Sequence, residues 1–172
     1  MANKHTIVVI VSIIVIAGSL GYSSINAISS HGLEFSWPAK SFNFLSVMTD
    51  KTVKVCNPSD LPASFSKYSF TIFYDGKELG TYSTGHGGLS AHSSGVVFGK
   101  FDSKDDRIAN LFFAFFDTEN GGTDVTRINT DKIKVKTTLE STILWAMPHV
   151  ITHEYSGAEF LDMINKAPSC EK

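Results

Sequence analysis

Apolar and polar residues alternate along much of this chain with a repeat of two, which is typical of half-buried β-strands. The clearest case is the stretch 67–74 (KYSFTIFY), where large apolar side chains occupy every second position. Stretches of this kind are separated by short Gly, Pro, Asn and Asp segments, as in an antiparallel all-β domain. Strands are expected at 41–49, 52–56, 67–74, 78–83, 95–101, 132–139 and 143–155, the last as one strand or as two divided at Pro148.

A hairpin is predicted where Asp75 and Gly76 separate two of these strands. Both residues of a type I′ turn need positive φ, and Asp-Gly is a favoured pair for it. A two-residue turn would pair Tyr74 with Lys77 and Ile72 with Leu79. Gly80 follows directly.

Asn57 and Pro58 end the strand that carries Val53 and Val55. Proline cannot donate a hydrogen bond to a neighbouring strand, and it holds the preceding residue in an extended conformation. We expect the Asn57 side chain to bond the loop backbone and fix the turn, which is a structural role. The small polar stretch 84–94 is expected to be a loop.

Two segments have a helical repeat instead. Apolar residues recur at intervals of three and four along 102–117, after a capping arrangement at Ser103 and Asp106. Near the C-terminus, Ser156 and Glu159 form a capping box that opens a short helix. The apolar residues of that helix are Phe160, Leu161 and Ile164.

The N-terminal segment is almost continuously apolar from residue 6 to residue 20 and follows Lys4. Counted from Thr6 to Tyr22, its length just reaches the lower limit for a membrane-spanning helix, about 17 residues. It is therefore either a retained anchor or a secretory signal that is cleaved. Positive charge on its N-terminal side favours a cytoplasmic amino end, which places the domain outside the cytoplasm in either case.

Several of these features together resemble the late-embryogenesis-abundant group 2 family, also called the water-stress and hypersensitive-response domain. The order is Val-x-Val-x-Asn-Pro, a Pro-containing loop at Leu61-Pro62, Tyr-x-Phe-x-Ile-x-Tyr, Asp-Gly and Leu-Gly. The similar region extends over about 37–155. The resemblance implies a role in desiccation or water-stress tolerance, through protecting or binding other macromolecules.

These patterns predict an immunoglobulin- or fibronectin III-like antiparallel β-sandwich. One helix would cross an end of the sandwich, a short helix would follow at the C-terminus, and a hydrophobic helix would precede it. The expected divisions are an anchor or signal at 1–22, a linker at 23–36, the sandwich at 37–156 and a helix with a tail at 157–172.

The net charge of −2 gives no basic surface for nucleic acid. The chain has two cysteines, Cys56 at the end of a strand and Cys170 in the tail. Outside the cytoplasm such a pair tends to oxidise, so a bridge between the tail and the sheet is one alternative. The other is a half-buried thiol at Cys56 and a separate thiol in the tail.

Candidate chemical sites are weak throughout the sequence. His149 and His153 are four apart, which suits a metal on a helix but places them about 13 Å apart on the strand expected here. His86 and His92 lie in a glycine-rich loop without a nearby third ligand. Ser94, His92 and Asp102 contain the residue types of a hydrolase triad but lack a nucleophile elbow. Helix capping explains Asp102, Asp105 and Asp106 better than a calcium loop does.

We therefore expect no catalytic residues, no cofactor and no metal. The first functional hypothesis is a non-enzymatic, membrane-anchored extracytoplasmic domain with the stress role that the resemblance implies. An alternative is an interaction or adhesion module of the cell envelope, which would bind client proteins through an exposed edge strand at 78–83. A third is a binder of a small apolar ligand or lipid in a cavity between the sheets.

Overall fold

A computed structural model of the protein describes residues 4–38, 41–44, 46–48, 52–104, 130–143 and 147–171. Within these ranges antiparallel strands are the commonest element, and a helix lies near each end of the chain. The helices are α1 (Lys4–Ser29) and α2 (Gly157–Asn165). The strands are β1 (Glu34–Ser36), β2 (Thr52–Asn57), β3 (Ala63–Phe65), β4 (Lys67–Tyr74), β5 (Lys77–Thr84), β6 (Gly87–Leu89), β7 (Ser93–Ser103), β8 (Ile133–Ile143) and β9 (Met147–Ser156).

The strands form a curled sheet in the order β1-β2-β7-β5-β4-β8-β9, and β3 pairs separately with β6. Strand β7 joins two layers, because its first half pairs with β2 and its second half pairs with β5. The layers meet through side chains such as Phe35 and Tyr68, whose stacked rings have centroids 3.8 Å apart. The predicted β-sandwich, with its N-terminal hydrophobic helix and short C-terminal helix, is confirmed.

The core between the layers is largely aromatic. Phe160 of α2 is fully buried, and its ring lies 5.0 Å from that of Phe70 and 5.4 Å from that of Phe42. Trp37 packs edge-on against Tyr82, with ring centroids 5.6 Å apart. The helix that supplies Phe160 is therefore part of the sandwich core.

The capping box that opens α2 is present as the sequence predicts. The Ser156 hydroxyl accepts a hydrogen bond from the Glu159 amide, and the Glu159 carboxylate accepts one from the Ser156 amide at 2.9 Å. The hydrogen bonds that the Ser156 amide and hydroxyl donate to the Glu159 carboxylate lower the pKa of this exposed carboxyl below its ordinary value. The apolar positions follow the helical repeat, so Phe160 and Ile164 are both buried.

The β4–β5 hairpin forms at the predicted turn, but its register differs. Asp75 and Gly76 have φ values of 50° and 79°, and Tyr74 pairs with Lys77 as expected. A bulge after Ile72 then pairs Ile72 with Gly80, so the predicted pair with Leu79 is wrong. At Gly80 a Cβ atom would lie 2.6 Å from the Asp102 carbonyl oxygen, which explains the glycine.

The alternation in β8 is confirmed, but the edge position for which its exposed lysines would be typical is wrong. Ile133 and Val135 are buried, whereas Lys134 and Lys136 are exposed. Strand β8 lies between β4 and β9, so these lysines are not at an edge. Strand β5 lies between β4 and β7, so the predicted docking edge at 78–83 is wrong too. Among the described strands of the large sheet, the two edges are β1 and β9.

Other sequence-based boundaries also need correction. The stretch 84–94 is not a single loop, because it contains β6 and the start of β7. Pro148 does not divide a strand; it lies within the edge strand β9, opposite Thr142. Asp102 and Ser103 end β7 instead of starting a helix. The rest of the helix predicted at 102–117 lies outside the described residues.

The expected first strand at 41–49 is wrong where the structure describes it. Ser46–Met48 is a short 3-10 helix, and the Asn43 side chain accepts a hydrogen bond from the Ser46 amide at 2.8 Å. That bond takes the amide hydrogen that a strand would give to its neighbour. The first strand is instead β1, which pairs with β2.

The predicted linker at 23–36 is also wrong, because α1 continues to Ser29 and β1 begins at Glu34. Ala27 and Ser30 are buried where the end of α1 contacts β3 and β8. In the part of the chain described, Lys4–Gly32 is the one helical segment long and apolar enough to span a membrane. The last residues of this segment therefore pack against the sheet.

Candidate functional site

The curled sheet leaves a cavity between its edge strands β1 and β9, which we call the seam cavity. It has a volume of about 290 Å³, near the small end of the range for ligand pockets. Its floor comes from β4 and β8, and the segment after α2 forms one wall. The lining residues are His31, Leu33, Glu34, Phe35, Ser36, Tyr68, Thr137, Leu139, Ile151, His153, Tyr155, Met163, Lys166, Ala167 and Pro168.

Two buried hydroxyl groups in this lining lack a hydrogen-bond partner among the described residues. They belong to Tyr68, whose residue is 4% exposed, and to Ser36, which is 3% exposed. Burial, followed by the nearby Tyr155 and Tyr82, raises the pKa of Tyr68 far above its ordinary value, so its phenol stays protonated. An unpaired buried polar group costs about 1–3 kcal/mol, so both hydroxyls favour an incoming partner.

The rest of the wall around Tyr68 is mostly apolar. The Phe35 ring covers its face, and Leu33, Leu139 and Ile151 line the same space. A ligand with an apolar body would bury that body here, beside the two residues that carry these hydroxyls. This combination of apolar walls and a few polar groups is the usual form of a small-molecule site.

Charged and titratable residues complete the lining at Lys166, His31, His153 and Glu34. The two carboxylate oxygens of Glu34 accept hydrogen bonds from Ser169, one from its amide at 2.6 Å and one from its hydroxyl at 2.8 Å. Within the described ranges, no carboxylate lies at ion-pair distance from Lys166.

A disulfide between Cys56 and Cys170 fastens the wall that follows α2. The two Cα atoms are 5.9 Å apart, and the Cys170 amide also donates to the Cys56 sulfur at 3.1 Å. Cys56 lies in β2, opposite Glu34 of β1. The bond therefore holds the segment containing Lys166 and Pro168 against the edge of the sheet.

The histidines considered as metal ligands do not converge on one point. His153 lines the seam cavity, whereas the His149 Nε2 atom lies 2.8 Å from the Nε2 atom of His31. That pair links the end of the N-terminal helical segment to β9. His86 is exposed. Among the described residues, no group of three or more His, Cys, Asp or Glu could hold a metal ion.

The three residues of the possible hydrolase triad, Ser94, His92 and Asp102, are not brought together either. The His92 Nε2 atom contacts the Asp60 carboxylate at 2.7 Å. Ser94 and Asp102 lie eight positions apart on β7, which separates them by about 26 Å. Asp105 and Asp106 lie outside the described residues.

The Asn57-Pro58 motif organises a loop instead of a site. Asn57 is fully buried, and its amide nitrogen donates to the carbonyl oxygens of Leu61 at 2.7 Å and Ser90 at 3.0 Å. Its side-chain oxygen accepts hydrogen bonds from the amide and hydroxyl of Ser59. One side chain thus connects the loop after β2 to the segment between β6 and β7.

Sequence reasoning missed the pair formed by Tyr68 and Ser36. One signal was available for Tyr68: a phenol on the buried face of a strand needs a partner. Nothing local marks Ser36, which reaches the cavity only because β1 forms one edge of the curled sheet.

Comparisons with known proteins leave the family open. No family model matches the chain, and no curated protein matches it. Among solved structures, the chain is similar to a protein from Archaeoglobus fulgidus with a TM-score of 0.32 and 11% sequence identity. The match covers 72% of this chain and 94% of that one. Similarity at this level carries no argument, so the resemblance to the late-embryogenesis-abundant group 2 family stays a prediction.

Proposed function

We propose that this protein is a non-enzymatic binding domain, held at the outer face of a membrane by α1, that takes a small, largely apolar ligand into the seam cavity. The observation that carries the proposal is that Tyr68 and Ser36, which line this cavity together with apolar side chains, each have a buried hydroxyl without a partner among the described residues. A core selected only for stability would gain by having phenylalanine and alanine there.

The placement of the cavity supports a role near the membrane. His31 lines the cavity and lies two positions after the last residue of α1. Because the end of α1 packs against β3 and β8, the cavity stays close to the point where the chain would leave the bilayer. Retention of α1 as an anchor and an extracytoplasmic domain are parts of this proposal.

The stress role is a separate proposal that rests on the sequence resemblance alone. Its measurement is the recovery of a labile enzyme after drying with the full chain, compared with albumin as a protective control. Recovery no better than with albumin would contradict direct protection and leave the ligand proposal unaffected.

The binding proposal predicts opposite effects of Tyr68→Phe on stability and on affinity. Removing an unpaired buried hydroxyl is expected to raise the melting temperature of the ligand-free protein by about 2–4 °C. The same change removes a hydrogen bond to the ligand and is expected to weaken binding of 1-octanol about threefold to tenfold. The full chain in phosphatidylcholine nanodiscs would be studied by circular dichroism and titration calorimetry, with empty nanodiscs subtracted.

Tyr82→Phe is the matched control, because Tyr82 is as buried as Tyr68 but lies outside the cavity lining. It should leave octanol affinity unchanged. Equal affinities for wild type and Tyr68→Phe, or no saturable octanol binding by wild type, would contradict the proposed site.

A further inference from the structure

We infer that the seam cavity selects a monoanionic amphiphile, a carboxylate on a small apolar body, over neutral and cationic molecules of the same shape. This inference rests on the proposed function and adds the chemical class of the ligand. It follows from which polar groups of the lining are free to bind and which are already bonded.

The buried hydroxyls favour a ligand whose head group accepts hydrogen bonds. Ser36 and Tyr68 can each donate a hydrogen bond, and among the described residues neither has an acceptor. A carboxylate offers two acceptor oxygens and no donor, so it suits a lining whose unbonded groups are donors. An ammonium head would bring donors only and leave both of these hydrogens unpaired.

The charges of the lining point the same way. Lys166 contributes an ammonium group with three donors, and His31 and His153 add imidazoles that can donate hydrogen bonds. Among the described residues of the lining, the single carboxylate is Glu34, and both of its oxygens already accept hydrogen bonds from Ser169. The Glu34 oxygens are therefore bonded to the tail, whereas no described carboxylate lies at ion-pair distance from Lys166, which can pair with an anion.

The size of the cavity limits the apolar part of the ligand. A space of about 290 Å³ suits one short chain or one ring, and is too small for a two-chain lipid. Leu33, Leu139 and Ile151 give that part an apolar wall. A single-chain carboxylate of medium length fits both the size and the chemistry.

The test compares three probes, each with a straight apolar chain of similar length but a different head group: octanoate, 1-octanol and octylammonium. Each is titrated calorimetrically into the full chain in phosphatidylcholine nanodiscs, and the heats from empty nanodiscs are subtracted. We expect octanoate to bind about tenfold more tightly than octanol, because charge-assisted hydrogen bonds are the stronger ones. Octylammonium should bind most weakly.

Two lysine variants locate the source of the preference. Lys166→Gln should weaken octanoate binding about threefold to tenfold and change octanol binding little. Lys77→Gln makes the same charge change in the exposed β4–β5 turn, away from the lining, and should affect neither probe.

The outcomes separate this inference from the function on which it rests. Octanol binding as tightly as octanoate, or octylammonium binding best, would overturn the anion preference while leaving a ligand cavity in place. Binding of none of the three probes would overturn both. If Lys166→Gln still preferred octanoate, the source of the preference would lie elsewhere. That result would contradict the role proposed for Lys166.

Discussion

Replacing both Cys56 and Cys170 with alanine is expected to lower the free energy of unfolding by about 4–5 kcal/mol. The disulfide joins residues 114 positions apart, and in the chain-entropy model a closed loop of this length restricts the unfolded chain strongly. The measurement is urea unfolding of the full chain in nanodiscs, followed by near-ultraviolet circular dichroism. The wild type under reducing conditions should show a similar loss.

The same variant should also bind octanoate more weakly. Without the disulfide, the segment at 166–168 loses one of its attachments to the sheet, and the hydrogen bonds of Ser169 to Glu34 remain on that side of the cavity. Unchanged octanoate affinity in a folded double variant would show that this wall does not contribute to binding. Unfolding of oxidised wild type and double variant at the same urea concentration would contradict the stability prediction.

Phe160→Ala is the second change expected to have a large effect, with a loss of about 3–5 kcal/mol. Phe160 is fully buried and its ring contacts those of Phe42, Phe44, Phe70 and Tyr155. Truncation would remove this buried area and leave a cavity at the centre of the aromatic cluster.

Phe98→Ala serves as its control, because it removes the same atoms from a side chain that is 76% exposed on β7. It should change the free energy of unfolding by no more than about 0.5 kcal/mol. Comparable losses for the two variants, measured by urea unfolding, would contradict the inclusion of α2 in the core.

The parts of the fold that sequence reasoning predicted are those with a local cause. The Asp75-Gly76 turn, the alternation of β8 and the capping box at Ser156 and Glu159 each depend on residues a few positions apart. Each is present in the structure. The all-β class follows from several such signals that agree with one another.

The failures have non-local causes. The bulge after Ile72 depends on how β5 fits between β4 and β7, which the hairpin sequence does not contain. The strand order decides which strands are edges, so neither β5 nor β8 could be placed by its own pattern. The short strand β1 has only three residues and forms no repeat long enough to detect.

The candidate site could not be predicted for the same reason. Ser36 and Tyr68 meet in one cavity because the sheet curls and leaves its edges β1 and β9 apart. His31 and His149, which are 118 positions apart, come together through the same arrangement. The sequence did not favour a metal site or a hydrolase triad, and it had no signal for a cavity between distant strands.

The most direct test of the ligand cavity is the methyl NMR spectrum of the full chain labelled at methionine. Met163 lines the seam cavity, whereas Met48 and Met147 lie outside its lining. Titration with octanoate in nanodiscs should shift the Met163 methyl resonance saturably and leave those of Met48 and Met147 in place. A Met163 resonance that does not move, or that moves no more than the other two, would contradict binding in the cavity.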